Sequence, residues 1–191
     1  MKKIPTLFER EYENHKVVGI TDKVTPGCEI VLEGKTLPTV KWDGSCCAII
    51  NGEFYKRYDA KKGKKAPAGA IPCCDPDPVT GHWPHWVKCD PNDPSVKWYV
   101  EAWKNSLATE DGTYEAVGPH FQGNPYNLWK DTLVRHGSEI INTEINLSLE
   151  GLREFLSKAP IEGIVFWYEG EPLCKIKRTD FGFEWPIKEK P

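Results

Sequence analysis

Asn51-Gly52 stands between two β-prone runs, Cys46 to Ile50 and Glu53 to Tyr58. A two-residue I′ turn needs positive φ at both central residues, and Asn and Gly adopt it most readily, so the dipeptide predicts a tight hairpin. That commits the middle of the chain to an antiparallel sheet. The turn also sets the register. Ile50 pairs with Glu53, and counting back puts Cys46 opposite Arg57, beside the loop Lys41-Trp42-Asp43-Gly44. Shorter β runs precede it, at Val17, Val18 and Ile20 and at Cys28 to Leu32.

A second hairpin closes the chain: Gly163 to Tyr168, the turn Glu169-Gly170-Glu171-Pro172, then Leu173 to Arg178. With Phe166 facing Lys175 and Ile164 facing Lys177, Glu162 lies opposite Thr179. Side chains alternate along a strand, so Glu162, Lys175 and Lys177 are expected on one face. Residues 59–94 are rich in Pro, Gly, Lys and Asp, which predicts a loop-rich insertion. Asp93-Pro94 reads as a helix start, with Val96, Tyr99, Val100, Trp103 and Leu107 at helical spacing. Ser148 opens a shorter helix carrying Leu149, Leu152, Phe155 and Leu156, stopped before Pro160. The sum is a single α+β domain over residues 1–191.

A hydrophobic content of 39% suffices for a real core. Eight Trp serve either that core or stacking on bases. A net charge of −3 excludes a globally basic nucleic-acid binder, so any such contact must be local. The local patch is the run holding Lys56, Arg57, Lys61, Lys62, Lys64 and Lys65. No apolar segment follows Lys2 and Lys3 as a secretory signal would require, and none is long enough to span a bilayer. Seven cysteines, an odd number with two adjacent pairs, suit reduced thiols better than a disulfide framework. A soluble cytoplasmic protein, off the membrane, is expected. Cys74, His82, His85 and Cys89 have a spacing competent for tetrahedral zinc but lack a tight Cys-x2-Cys anchor, and a loop flanking the substrate is the preferred reading.

Lys41-Trp42-Asp43-Gly44 has the form K-x-D-G and is followed in order by Tyr114-Glu115-Ala116-Val117-Gly118, Glu162-Gly163-Ile164-Val165-Phe166 and Lys175-Ile176-Lys177-Arg178. This series resembles the motifs of the covalent nucleotidyltransferases: ATP- and NAD-dependent ligases and messenger-RNA capping enzymes. Glu115 to Tyr126 (EAVGPHFQGNPY) and Lys175 to Pro186 (KIKRTDFGFEWP) resemble, more narrowly, the small 5′–3′ RNA ligases of vertebrates and their bacterial and viral relatives. Arg57-Tyr58-Asp59 and Asp75 to Trp86 are similar to segments of the same group.

The resemblance implies an ATP-grasp-like nucleotidyltransferase domain (the DNA/RNA ligase adenylation domain) of two antiparallel sheets with flanking helices. Only a short tail follows Trp185-Pro186, so no OB-fold domain is expected. It implies ATP as cosubstrate and Mg²⁺ or Mn²⁺ as metal, with Lys41 as nucleophile and Lys175 and Lys177 at the phosphate. Asp43, Glu115 and Glu162 would hold the metal directly or through waters, with Glu115 alternatively on the ribose. Gly44 belongs to the nucleotide loop. Arg57 would hold ribose or an RNA 5′-phosphate, and His136 would stack on adenine. RNA ends, a 5′-phosphate and a 3′-hydroxyl, are the implied partners. Lys61, Lys62, Lys64 and Lys65 would contact RNA, with a protein partner as another route to end recognition.

The residue chemistry suits this. Lysine attacks phosphorus only as a neutral amine, and burial and neighbouring cations favour that form. Two lysines on one strand face offset charge that builds on a phosphate. Phosphoryl-type transfer depends chiefly on positioning and electrostatics. A GTP-dependent capping guanylyltransferase and a non-catalytic RNA-binding relative are the alternatives. Intact Lys41, Glu162, Lys175 and Lys177 argue against the second.

Overall fold

The computed structural model describes residues 2–188. Its strands are β1 (Phe8–Glu13), β2 (Lys16–Val24), β3 (Leu37–Lys41), β4 (Ser45–Ile50), β5 (Glu53–Ala60), β6 (Ile71–Pro72), β7 (Trp83–Lys88), β8 (Gly112–Val117), β9 (Thr132–Arg135), β10 (Gly163–Tyr168) and β11 (Glu171–Lys177). The helices are α1 (Glu29–Leu32), α2 (Lys97–Ser106) and α3 (Leu149–Lys158). The fold is α+β, with three antiparallel sheets where two were expected. The extra one is the β1–β2 ribbon, whose strands pair only with each other. The chain packs as two compact units: the first comprises the N-terminal residues to Lys3 and Asp43–His136, the second Ile4–Trp42 and Gly137 onward.

The first unit is built on a six-stranded sheet of order β6-β7-β5-β4-β8-β9. Asn51 and Gly52 have φ of 52° and 74°, and Ile50 pairs with Glu53, as the dipeptide predicts. Asp111 braces the turn by accepting from both of its amides. One face of the sheet carries Cys47, Ile49, Phe54, Tyr114 and Ala116, which form a core with Val100 and Ala102 of α2. Asp93 caps the entry to α2 by accepting from Ser95 N, with Pro94 in the first turn. Leu107 departs from the predicted stripe: it ends α2 in the left-handed region, at φ 57°, and is 84% exposed.

The insertion at 59–94 is more ordered than its composition suggests. β7 pairs along β5 from Tyr55↔Lys88 to Ala60↔Trp83 and buries His85 and Trp86. Pro84 disguises this strand in the sequence, because proline is usually kept off interior strands.

The second unit holds a three-stranded sheet of order β11-β10-β3. Ile164, Phe166, Cys174 and Ile176 point to one side and are fully buried with Leu152 and Leu156 of α3. Ser148 caps α3 by accepting from Gly151 N. Cys28 to Leu32, expected as a strand, instead forms the short helix α1, with Cys28 and Val31 turned into the core. Among the described residues no helix is long and apolar enough to cross a membrane.

Candidate active site

The C-terminal hairpin is shifted by one residue from the expected register. Tyr168 pairs with Glu171, so the turn is centred on Glu169-Gly170, and an irregularity between Phe166 and Trp167 then sets Lys175 against Val165 and Lys177 against Gly163. Arg178 N, not Thr179, meets Glu162, donating to its carbonyl at 2.9 Å. The expected register would have put both lysines on the face of Ile164 and Phe166, which is the buried apolar face. The observed one puts Lys175 and Lys177 on the opposite face, where the amines avoid burial among hydrocarbons.

β3 delivers Lys41 to that same face. Gly163 pairs with Lys177 on one side and Lys41 on the other. With strands about 4.8 Å apart, the Lys41 and Lys177 backbones are about 10 Å apart across a residue with no side chain. Glu162, just ahead of β10, reaches Lys41: Nζ donates to Oε2 at 2.7 Å, with the two side chains 23% and 12% exposed. Gly163 is required at its position, since a Cβ there would lie 2.3 Å from Ile176 O.

The first unit gathers a different group. Cys46 of β4 pairs with Glu115 of β8, and the hairpin count continues to Arg57 on the other side. These three face away from the α2 core. His136, just past β9, is held at both ring nitrogens, Nδ1 by Thr113 Oγ1 at 2.9 Å and Nε2 by Glu115 Oε2 at 2.7 Å. Glu115 Oε1 also accepts from Gly44 N at 3.1 Å. Burial and the neighbouring Glu115 carboxylate push the Cys46 thiol up to about 12. Arg57 is clamped by Asp59, Nε to Oδ1 at 2.9 Å and Nη2 to Oδ2 at 2.8 Å, which raises its pKa further. A phosphate binding Arg57 must compete with that carboxylate.

Asp43 and Gly44 are gripped by the loop after β8. The Asp43 amide donates to the Tyr126 hydroxyl at 2.5 Å, and Gln122 Nε2 donates to Gly44 O at 3.3 Å. Gln122, Asn124 and Asn127 all take positive φ in this loop, a conformation that Asn tolerates better than most residues. Gly44 is needed for a close approach, since a Cβ would fall 2.1 Å from Ala116 O.

The three carboxylates expected at the metal are divided between the two units. Asp43 and Glu115 belong to the first unit and Glu162 to the second. Among the described residues the group able to hold a metal through three ligands is Cys46, Glu115 and His136. Cys74, His82, His85 and Cys89 do not assemble. Cys89 packs in the α2 core, and His85 Nδ1 lies 2.8 Å from Trp83 O. Lys61, Lys62, Lys64 and Lys65 are exposed around a turn closed by Lys64 N donating to Lys61 O at 2.8 Å. Sequence reading missed Cys46, Thr113, Asp59, Gln122 and Tyr126 as parts of the site. Each acts through a neighbour supplied by the fold, save Asp59, whose two-residue offset from Arg57 on one strand was a readable cue.

Comparison with known proteins finds two likenesses. The family model described as RNA ligase 1 matches residues 104–191, the stretch with Glu115, His136, Glu162, Lys175 and Lys177. Over 270 aligned residues the chain is 23% identical to a protein named RNA ligase 1 from Pongo abelii, spanning 98% of this chain and 83% of that protein. Both findings are likenesses to proteins described as RNA ligase 1. Lys41, Asp43 and Arg57 precede the matched stretch and fall within the longer similarity only.

Proposed function

We propose that this chain is an ATP-dependent RNA ligase that works through an adenylate on Lys41. The observation that carries this reading is the Lys41–Glu162 contact at 2.7 Å on the sheet face that also bears Lys175 and Lys177. A primary amine beside a carboxylate that can take its proton, with two further amines on its face, suits attack on a phosphoanhydride.

In the first step Lys41 Nζ bonds to the α-phosphorus of ATP, and the bond to the β-phosphate oxygen breaks to release pyrophosphate. Glu162 lies within proton-transfer reach of the attacking amine. In the second, an oxygen of an RNA 5′-phosphate attacks the same phosphorus and the P–N bond breaks. In the third, an RNA 3′-hydroxyl attacks the activated 5′-phosphorus and AMP leaves. Lys175 and Lys177 offset charge on the phosphates. Glu115, Asp43 and Gly44 handle the nucleotide with His136, and Arg57 takes the ribose or the RNA 5′-phosphate. The carboxylates of Asp43, Glu115 and Glu162 are hard oxygen donors of the kind Mg²⁺ or Mn²⁺ prefers, and such an ion would supply further positive charge at the phosphates. The Lys61–Lys65 turn would contact RNA.

Intact mass after incubation with ATP and Mg²⁺ tests the proposal, and a gain of one AMP mapped to Lys41 is expected. A GMP adduct formed only from GTP would turn the reading to a capping-type guanylyltransferase. No adduct with either nucleotide would overturn it.

A further inference from the structure

We propose that Cys46, Glu115 and His136 form a binding site for a borderline-soft divalent ion, Zn²⁺ in chemical class, that restrains the enzyme instead of serving its reaction. The Cys46 sulfur, a Glu115 carboxylate oxygen and a His136 ring nitrogen all lie within 4.8 Å of one another. Zinc bonds of about 2.0–2.3 Å in tetrahedral geometry space ligands about 3.3–3.8 Å apart, so the site needs only a small closure. Thiolate, imidazole and carboxylate are the ligand types that zinc takes, and three of them leave a fourth position for water or an anion.

The supporting contacts match what such a site needs. Ligating histidines usually engage the second ring nitrogen with an oxygen, which fixes the tautomer, and His136 Nδ1 lies 2.9 Å from Thr113 Oγ1. The ligating carboxylate is oriented too, by Gly44 N at 3.1 Å from its other oxygen. Cys46 and Glu115 are directly paired across β4 and β8, so the backbone ladder itself holds two ligands in register. The nearby cation Arg57 is engaged by Asp59, which partly offsets its repulsion of a metal. A thiol discriminates against Mg²⁺, which prefers all-oxygen ligation. On binding, the Cys46 sulfur bonds to the metal as thiolate and its proton passes to solvent.

Restraint follows because the ion would occupy Glu115 and His136, a consequence that rests on the function proposed above. The binding test is independent of it. The metal-stripped full chain is titrated with Co²⁺ alone, read by thiolate-to-cobalt charge-transfer absorption, and with Zn²⁺ alone by calorimetry. One equivalent and a charge-transfer band are expected. Cys46→Ser should abolish the band and weaken Zn²⁺ at least tenfold, whereas Cys73→Ser, the control for the neighbouring thiol, should keep both. Thr113→Val should weaken Zn²⁺ by about 10–100-fold, the usual effect of losing a group that orients a ligand. His136→Gln is a second ligand variant in case Cys46→Ser does not fold, and it should also lose tight binding. A band that survives in Cys46→Ser, undiminished affinity in His136→Gln, or no band in the parent overturns the site. Zn²⁺ should also slow formation of the AMP adduct in the parent and spare Cys46→Ser. Equal slowing in both overturns the restraint. Absence of any adduct overturns the ligase reading and leaves the cobalt result standing.

Discussion

Gly44 and Gly163 each follow an acidic residue, Asp43 in the six-stranded unit and Glu162 in the three-stranded unit. Both must be glycine for one reason: a carbonyl oxygen of the adjacent strand, from Ala116 or Ile176, occupies the place a Cβ would need. What surrounds them differs. Beside Gly163 a carboxylate grips an amine, Glu162 to Lys41, with Lys175 and Lys177 on the same sheet face. Beside Gly44 a carboxylate is shared between a backbone amide and an imidazole, Glu115 with Gly44 N and His136. The first group is rich in nucleophilic and cationic nitrogen. The second is built of oriented hydrogen-bonding groups. The same tight backbone device thus stands beside two different donor sets, an amine–carboxylate pair and a carboxylate shared with an imidazole.

That contrast breaks first at Lys41. Lys41→Ala should abolish the AMP adduct while thermal unfolding stays close to the parent's. Lys41→Arg should be equally inactive, because a guanidinium stays protonated. Either variant gaining the mass of AMP would remove Lys41 as nucleophile.

Next come the carboxylates. Glu162→Ala should lower the adenylation rate by about 10²–10⁴-fold with a smaller effect on ATP affinity, as for a group that acts in the transition state. Glu115→Ala should weaken ATP binding more than Glu162→Ala does. Single-turnover kinetics over an ATP series separates rate from affinity. Equal losses of both in Glu162→Ala would move Glu162 to the ligand-holding side of the comparison.

The glycines give a smaller, structural effect. Gly44→Ala and Gly163→Ala should each cost about 1–3 kcal/mol, the usual penalty of forcing a methyl into a packed site. Urea unfolding measures this. A neutral result at either position would mean that the adjacent strand yields and that the close approach is not required there.

The smallest effect on the chemistry should come from the exposed turn. Replacing Lys61, Lys62, Lys64 and Lys65 with Ala should leave the Lys41 adduct nearly unchanged while weakening RNA binding. Each lost phosphate contact should flatten the salt slope by about 0.7 for a single strand. Joining that is unaltered across a salt series would reduce this turn to a solvated surface.

Much of the local structure was readable from residue types. Asn51-Gly52 specified its turn, Asp93-Pro94 and Ser148 their helix starts, and the hairpin count brought Arg57 beside Cys46. The C-terminal register was misread by one, although the cue was present. Ile164, Phe166, Cys174 and Ile176 are all apolar and must share the buried face, which excludes Lys175 and Lys177 from it. The turn is centred on Glu169-Gly170, one residue earlier than the count assumed, and the count also ignored the irregularity at Phe166–Trp167, a single step that reverses every facing.

From the sequence alone came the α+β class, the Asn51-Gly52 turn and the helix caps, because these depend on the few residues around each position. Tertiary structure alone decided the pairing of β4 with β8, the clamp of Tyr126 and Gln122 on Asp43-Gly44, and the meeting of Cys46, Glu115 and His136. Strand partners distant along the chain are chosen by which faces can be buried together, and that choice is made by the whole core at once.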